Sequence, residues 1–249
     1  MPRFFVEKEQ IQNRIVTIVG EDAHHISRAL RMAAGEHITV CDCVGTDYDC
    51  VLTGFLPDRV LAKVEVESPT HTEPPYTAVL YQGLPKGEKF DQIIQKSVEC
   101  GVSRIVPFES ERSVVRIREE KDEKKADRRN RIAAGAAKQC GRGILPKVEP
   151  ACRFQSVVEQ AKEYDLALFC YEGEGTTPLP AVLEKARQTL PQNPKVAVLI
   201  GSEGGFSETE AKAAIEGGWI PVGLGRRILR TETAPVVALS MLCAALELN

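Results

Sequence analysis

Lys195 to Glu210 reads KVAVLIGSEGGFSETE, and this stretch narrows the possible folds more than any other. Val196 to Ile200 is a continuous apolar run, as required of a strand covered on both faces. GSEGG follows, a loop made easy by glycines, which accept turns that other residues resist. Ser207 and Glu210 form an S-x-x-E capping box, which predicts a helix beginning there. The same order then returns. Trp219 to Val222 is a short apolar run, GLGRRILRTETAP is a loop with glycines and arginines, and PVVALSMLCAALEL is a nearly all-apolar tail. Thr231, Glu232 and Thr233 offer oxygens suited to capping that last helix. Two such loops at the carboxyl ends of strands can wall one crevice.

The pattern extends upstream. TAVLYQG, RIVPF, VEPAC, LALFC and VAVLI read as strands. Between them lie helices: one with Phe90, Ile94 and Val98 on a face and Gly101 at its end, one over Lys121 to Cys140, one over Gln155 to Tyr164 and one around Ala181 to Leu190. Such alternation implies a mostly parallel, doubly wound α/β sheet. Before it, SPTHTEPPY interrupts every periodicity and marks a linker, which divides the chain at residues 1–70 and 71–249. The first part carries RFFVE, RIVTI, HITVCD, YDCVLTGFL and RVLAKVEVE, short strands with partial alternation. EDAHHISRALRMAAG supplies one helix, with Gly35 as its stop. Many short strands and one helix predict a small β-barrel.

The chain has 249 residues, 43% hydrophobic and 27% charged, the balance of a soluble globular protein. No apolar run is long enough to span a membrane, and the N-terminus lacks a signal-peptide pattern, so a cytoplasmic protein without membrane partners is expected. Eight cysteines show no C-x-x-C spacing; Cys41 and Cys43 alternate along an apparent strand and read as small core residues facing one side. No metal site is expected. The net charge of −3 argues weakly against nucleic acid, but Arg112 to Lys147 is rich in cations. Within it, KDEKKADRRNR at 121–131 reads as a solvated helix face of mixed charge.

LIGSEGGFS and LGRRILRTETA together resemble the RsmE family of 16S ribosomal RNA uridine N3-methyltransferases, in the SPOUT superfamily. The usual family form of the first motif is LIGPEGGFS; Ser202 stands here where proline is expected. KGEKFDQIIQKSVECGV at 86–102, AAKQCGRGILPKV at 136–148 and HHISRALRMAAGE at 24–36 extend the likeness over almost the whole chain. The resemblance implies a SPOUT-type parallel sheet flanked by helices with a C-terminal trefoil knot, and an N-terminal PUA-like RNA-binding β-barrel. It also implies S-adenosylmethionine as cofactor, 16S rRNA or the assembled small subunit as substrate, and methylation of N3 at uridine 1498. A homodimer is expected on two grounds. The family is dimeric, and a tail helix apolar nearly all round must be buried on most sides.

On this resemblance the cofactor lies against Leu199, Gly201, Gly204, Gly223, Leu224, Gly225, Ile228, Leu229, Thr233 and Ala234. Ordinary core packing is the alternative for each leucine. The uridine N3 proton has two candidate acceptors, Glu203 and Glu232. Against these roles, Glu232 also suits a helix N-terminus and Glu203 a loop brace. Arg230, then Arg227, is the candidate for stabilising charge on the ring carbonyls. Arg3, Arg28, Arg31, Lys86, Lys96, Lys138 and Arg142 are candidate RNA contacts, Arg142 because it follows Gly141 in a tight turn. Two other readings compete. A dinucleotide-using enzyme lacks its G-x-G-x-x-G, and a non-catalytic RNA-binding protein sits poorly with intact glycine loops and the arginine cluster.

Overall fold

A computed structural model describes residues 1–117 and 119–248, with the side chains of 119–124 left aside. The first four residues of the expected 121–131 charged face therefore lie outside the described side chains. The chain forms two compact units. One is Met1–Glu73 with Ala137–Leu145, and the other is Pro74–Ala136 with the chain from Pro146 onward.

The first unit holds β1 (Arg3–Phe5), β2 (Ile11–Gln12), β3 (Ile15–Val19), β4 (His37–Cys41), β5 (Thr46–Phe55) and β6 (Arg59–Pro69) in one sheet of order β1-β4-β5-β6-β3-β2. β1 runs parallel to β4, and the other pairings are antiparallel. No pairing joins β1 to β2 among the described residues. Alternation sets the faces: Val60, Ala62 and Val64 of β6 point into the core, while Arg59, Lys63 and Glu65 face water. Helix α1 (Gly20–His24) widens into a π turn over His25–Ala29 and drops Ile26, fully buried, onto the sheet. The helix does not run on to Gly35. It stops where Arg31 takes a left-handed φ of 52°. Nor do Cys41 and Cys43 share a strand face: β4 ends at Cys41, and Cys43 sits in the turn beyond at φ 64°.

The second unit is built on β7 (Thr77–Gly83), α2 (Lys89–Glu99), β8 (Val102–Glu109), α3 (Glu119–Cys140), β9 (Lys147–Val148), β10 (Cys152–Arg153), α4 (Phe154–Val158), β11 (Leu166–Cys170), β12 (Thr177–Pro178), α5 (Leu179–Ala186), β13 (Lys195–Ile200), α6 (Glu208–Gly217), β14 (Ile220–Gly223) and α7 (Ala234–Leu246). The last residues of α3 pack with the first unit. The strands order as β10-β8-β7-β13-β11-β14-β12, with β9 beside β8. Every pairing is parallel. VEPAC is not a single strand: β9 and β10 pair one after the other with the edge of β8 opposite β7, separated at Glu149 to Ala151.

The apolar runs read from sequence are the central strands. Val196 to Ile200 and Leu166 to Phe169 are buried on both faces because helices cover both sides. One core layer gathers Tyr81, Phe108, Phe169, Leu199, Phe206 and Trp219. Burying each such side chain contributes about 1.5–3 kcal/mol. Helix α2 buries Phe90, Ile94 and Val98 as its spacing predicts, and Gly101 follows its end at φ 87°. Ser207 and Glu210 make both halves of the predicted capping box on α6.

Candidate functional site

Because the sheet is parallel, the loops leaving β11, β13 and β14 emerge at one edge. There they wall a cleft of about 710 Å³, within the range of small-molecule sites. All of its lining residues belong to the second unit.

The first wall is Gly201 to Phe206. Gly205 donates its N–H to the Ser202 carbonyl at 3.0 Å, with φ 63°, and so closes a tight turn. The turn lies close against its neighbours. A Cβ at Gly201 would meet the Phe206 ring at 2.9 Å, and one at Gly204 would meet Arg112 at 2.9 Å. The second wall is Val222 to Glu232, turned by Gly225 at φ 123°.

One buried cluster joins the walls. Thr231 Oγ1 donates to the Gly201 carbonyl at 2.8 Å. Gln82, fully buried at the end of β7, donates from Nε2 to Thr231 Oγ1 at 3.0 Å and to the Gly201 carbonyl at 3.2 Å. This corrects the capping role expected of the threonines. Thr231 is spent on the tie, and Thr233, at the α7 N-cap, makes no side-chain capping bond.

Charge is concentrated at the rim. Lys89 Nζ donates to Glu203 Oε1 at 2.8 Å and stands 3.9 Å from Glu232 Oε2. Partial burial pushes the Glu203 carboxyl up, but Lys89 and the N–H groups of Glu203 and Lys86 outweigh it and hold it below its ordinary value. Glu203 is thus a braced carboxylate and a weak proton acceptor. Glu232 Oε2 is buried with no hydrogen-bond partner. Arg230 stands 3.9 Å from Glu232 Oε1, with its side chain 83% exposed. Arg226 and Arg227 are exposed beside it. Burial pushes the Cys170 thiol of the cleft up to about 12, which disfavours its thiolate.

Of the residues expected at a cofactor, Gly201, Gly204, Gly223, Leu224, Gly225, Ile228, Leu229 and Ala234 line this cleft. Two do not. Leu199 is fully buried in the sheet core, pointing away as the alternation of β13 dictates, and Thr233 is absent from the lining. Ile228 lines the cleft mouth but is 84% exposed, which is a poor match to an enclosed apolar slot.

The expected RNA contacts divide. Arg28, Arg31 and Lys86 are exposed, and Lys96 is exposed but pairs with Glu99 at 2.8 Å. Three others are engaged inside the first unit. Arg3 forms a two-pronged pair with Asp47 at 2.6 and 3.0 Å. Lys138 pairs with Asp22 at 2.7 Å. Arg142, with only 4% of its side chain exposed, is held by Glu73 at 2.6 Å, and the same carboxylate accepts from the N–H groups of Gly143 and Ile144. The turn at Gly141, φ 77°, folds Arg142 inward onto Glu73 and away from the surface where a phosphate contact was expected.

Sequence reasoning passed over Gln82, Lys89 as a cleft residue, Arg112 and Thr176. Gln82 carried a usable signal, a lone amide in the apolar run TAVLYQ, because a fully buried polar side chain needs a partner. Among the described residues no cluster of His, Cys, Asp or Glu suits a metal ion, and no helix is long and apolar enough to cross a membrane.

A family described as "RNA methyltransferase domain" matches residues 72–243, and one described as "RNA methyltransferase PUA domain" matches 18–65. The chain is 35% identical over its whole length to Ribosomal RNA small subunit methyltransferase E of Bacillus subtilis, covering 98% of that protein. It is 34% identical to the Synechocystis protein of the same name, over 98% of this chain and 78% of the other. The crystal structure of Ribosomal RNA small subunit methyltransferase E from Neisseria gonorrhoeae bound to S-adenosyl methionine superposes with a TM-score of 0.84 at 30% identity, covering 98% and 97% of the two chains. With its parallel sheet, its small N-terminal unit and these full-length relatives, the chain belongs to the ribosomal RNA small subunit methyltransferase E family.

Proposed function

We propose that this chain transfers a methyl group from S-adenosylmethionine to N3 of a uridine in 16S ribosomal RNA, uridine 1498, giving 3-methyluridine. The observation that carries the reading is the bond from Thr231 to Gly201, which makes two glycine loops distant in sequence into walls of one cleft.

The residues fit the cofactor. At Gly205 and Gly225 a Cβ would meet no other atom, so bare backbone is open to a ligand. Glu232 Oε2 is buried at the cleft without a hydrogen-bond partner, with Lys89 Nζ 3.9 Å away. Gly201, Gly204, Gly223, Leu224, Gly225, Leu229 and Ala234 would hold the cofactor, which supplies an electrophilic sulfonium methyl when bound. The walls position the reactants and exclude water, a large share of the rate gain in such transfers. Glu232 accepts the N3 proton at Oε2, since Glu203 is held in its pair with Lys89. Arg230, backed by Arg227, stabilises negative charge spreading onto the ring carbonyls.

In the same reading residues 1–70 form the RNA-binding domain and 71–249 the methyltransferase domain, whose C-terminal segment is threaded as a trefoil knot. Arg28 and Arg31 of the first unit and Lys86 of the second are exposed cations that would meet phosphate. A second copy covers α7. One face of that helix, with Ala238, Leu239 and Leu242, is buried in its own unit, while Val236, Val237, Met241 and Leu246 remain half-exposed.

Primer extension on small-subunit RNA tests the target. A stop at the uridine should vanish in a strain lacking this chain and return when it is restored. A stop that survives the deletion defeats the assignment.

A further inference from the structure

Ser202 carries an oxygen that the fold leaves unused. The residue is 7% exposed, and its backbone is fixed on both sides. Its carbonyl accepts from Gly205 at 3.0 Å, and a bridge pairs it with the same glycine. Its amide lies so close to Gly83 that no side chain fits at that position of β7. Yet Ser202 Oγ is buried with no hydrogen-bond partner. A buried hydroxyl without a partner is destabilising, and such groups are rare in folded proteins.

Ser97 Oγ is likewise buried and unpartnered, but it lies within α2 and does not line the cleft. Two further oxygens have a local explanation. Gln82 Oε1 belongs to an amide whose two N–H groups are held among three acceptors, and the residue does not line the cleft. Glu232 Oε2 has the charge of Lys89 at 3.9 Å. Ser202 has neither excuse, and it lines the cleft within the first glycine wall. One staggered torsion aims its hydroxyl, so redirecting it toward a ligand requires no backbone change.

We infer that Ser202 Oγ hydrogen-bonds a polar atom of the methyl donor bound in this cleft. The contact rests on the function proposed above and adds to it a binding residue at the one motif position where this chain departs from the usual proline.

The test is calorimetric titration of S-adenosylmethionine and of S-adenosylhomocysteine into the full chain, its S202A variant and its S202C variant. Melting of each protein without ligand is measured alongside. S202C keeps the shape of the side chain in a slightly larger form and offers only a weak hydrogen bond. Both variants should bind about three- to tenfold more weakly, the range of one hydrogen bond. The free S202A protein should melt at or above the temperature of the unsubstituted chain, because an unsatisfied hydroxyl has been removed. Opposite signs on binding and stability are what a purely structural serine does not give. Affinities within twofold of the unsubstituted chain overturn the inference, as does a loss of affinity matched by a large fall in melting temperature. If the unsubstituted chain binds neither compound, the proposed function fails instead.

Discussion

Thr231 Oγ1 donates a hydrogen bond to the Gly201 carbonyl across thirty residues of sequence, at 2.8 Å and out of reach of water. Replacing Thr231 by valine keeps the shape and removes the donor. Gly201 O retains only the Gln82 amide, and that amide loses one of its acceptors. The variant should lose about 1–3 kcal/mol of stability and bind S-adenosylhomocysteine more weakly. Denaturant unfolding and titration calorimetry check both, and a variant unchanged in both would show that the tie is not what joins the loops.

Arg230 reaches solvent and touches little, so Arg230→Ala should alter stability by less than about 0.5 kcal/mol. Turnover on small-subunit RNA should fall about a hundredfold while cofactor affinity stays within a few-fold. Single-turnover kinetics separates the two, and unchanged turnover would remove Arg230 from the mechanism.

Arg142 and Arg28 predict opposite outcomes. Arg142→Ala leaves the half-buried Glu73 carboxylate with backbone donors alone and should cost about 1–3 kcal/mol. Arg28→Ala should leave stability alone and reduce the slope of log affinity against log salt for RNA by about one. A salt slope that also falls in a folded Arg142 variant would contradict the inward placement of that side chain.

The Glu73 pair also sets an acid response. Burial pushes the Glu73 carboxyl up, but Arg142 and the N–H groups of Gly143 and Ile144 prevail and hold it below its ordinary 4.5. A depressed folded value means that its stabilisation is complete above pH 4.5 and disappears as pH falls through the folded value. Glu73→Gln should therefore be less stable at neutral pH and show a shallower loss of stability below pH 4.5. Unfolding midpoints across that range decide it.

What the sequence made legible was local. The Ser207–Glu210 box, the α2 face and the apolar strands follow from spacings of two to four residues, and the structure has all of them. The misreadings involve distant partners. Nothing near Thr231 reveals that its hydroxyl is engaged at Gly201, and nothing near Arg142 reveals Glu73, 69 residues away. Leu199 lies in the core and not on the cleft, because motif membership does not say which face of a strand a side chain takes.

The central claim is that the turns around residues 201 and 225 hold the same molecule, the methyl donor. Amide hydrogen exchange on the full chain, with and without saturating S-adenosylhomocysteine, tests it directly. The account predicts that exchange slows together in 201–206 and 223–232. Slowing in only one of these segments, or in neither while another region is protected, would contradict it.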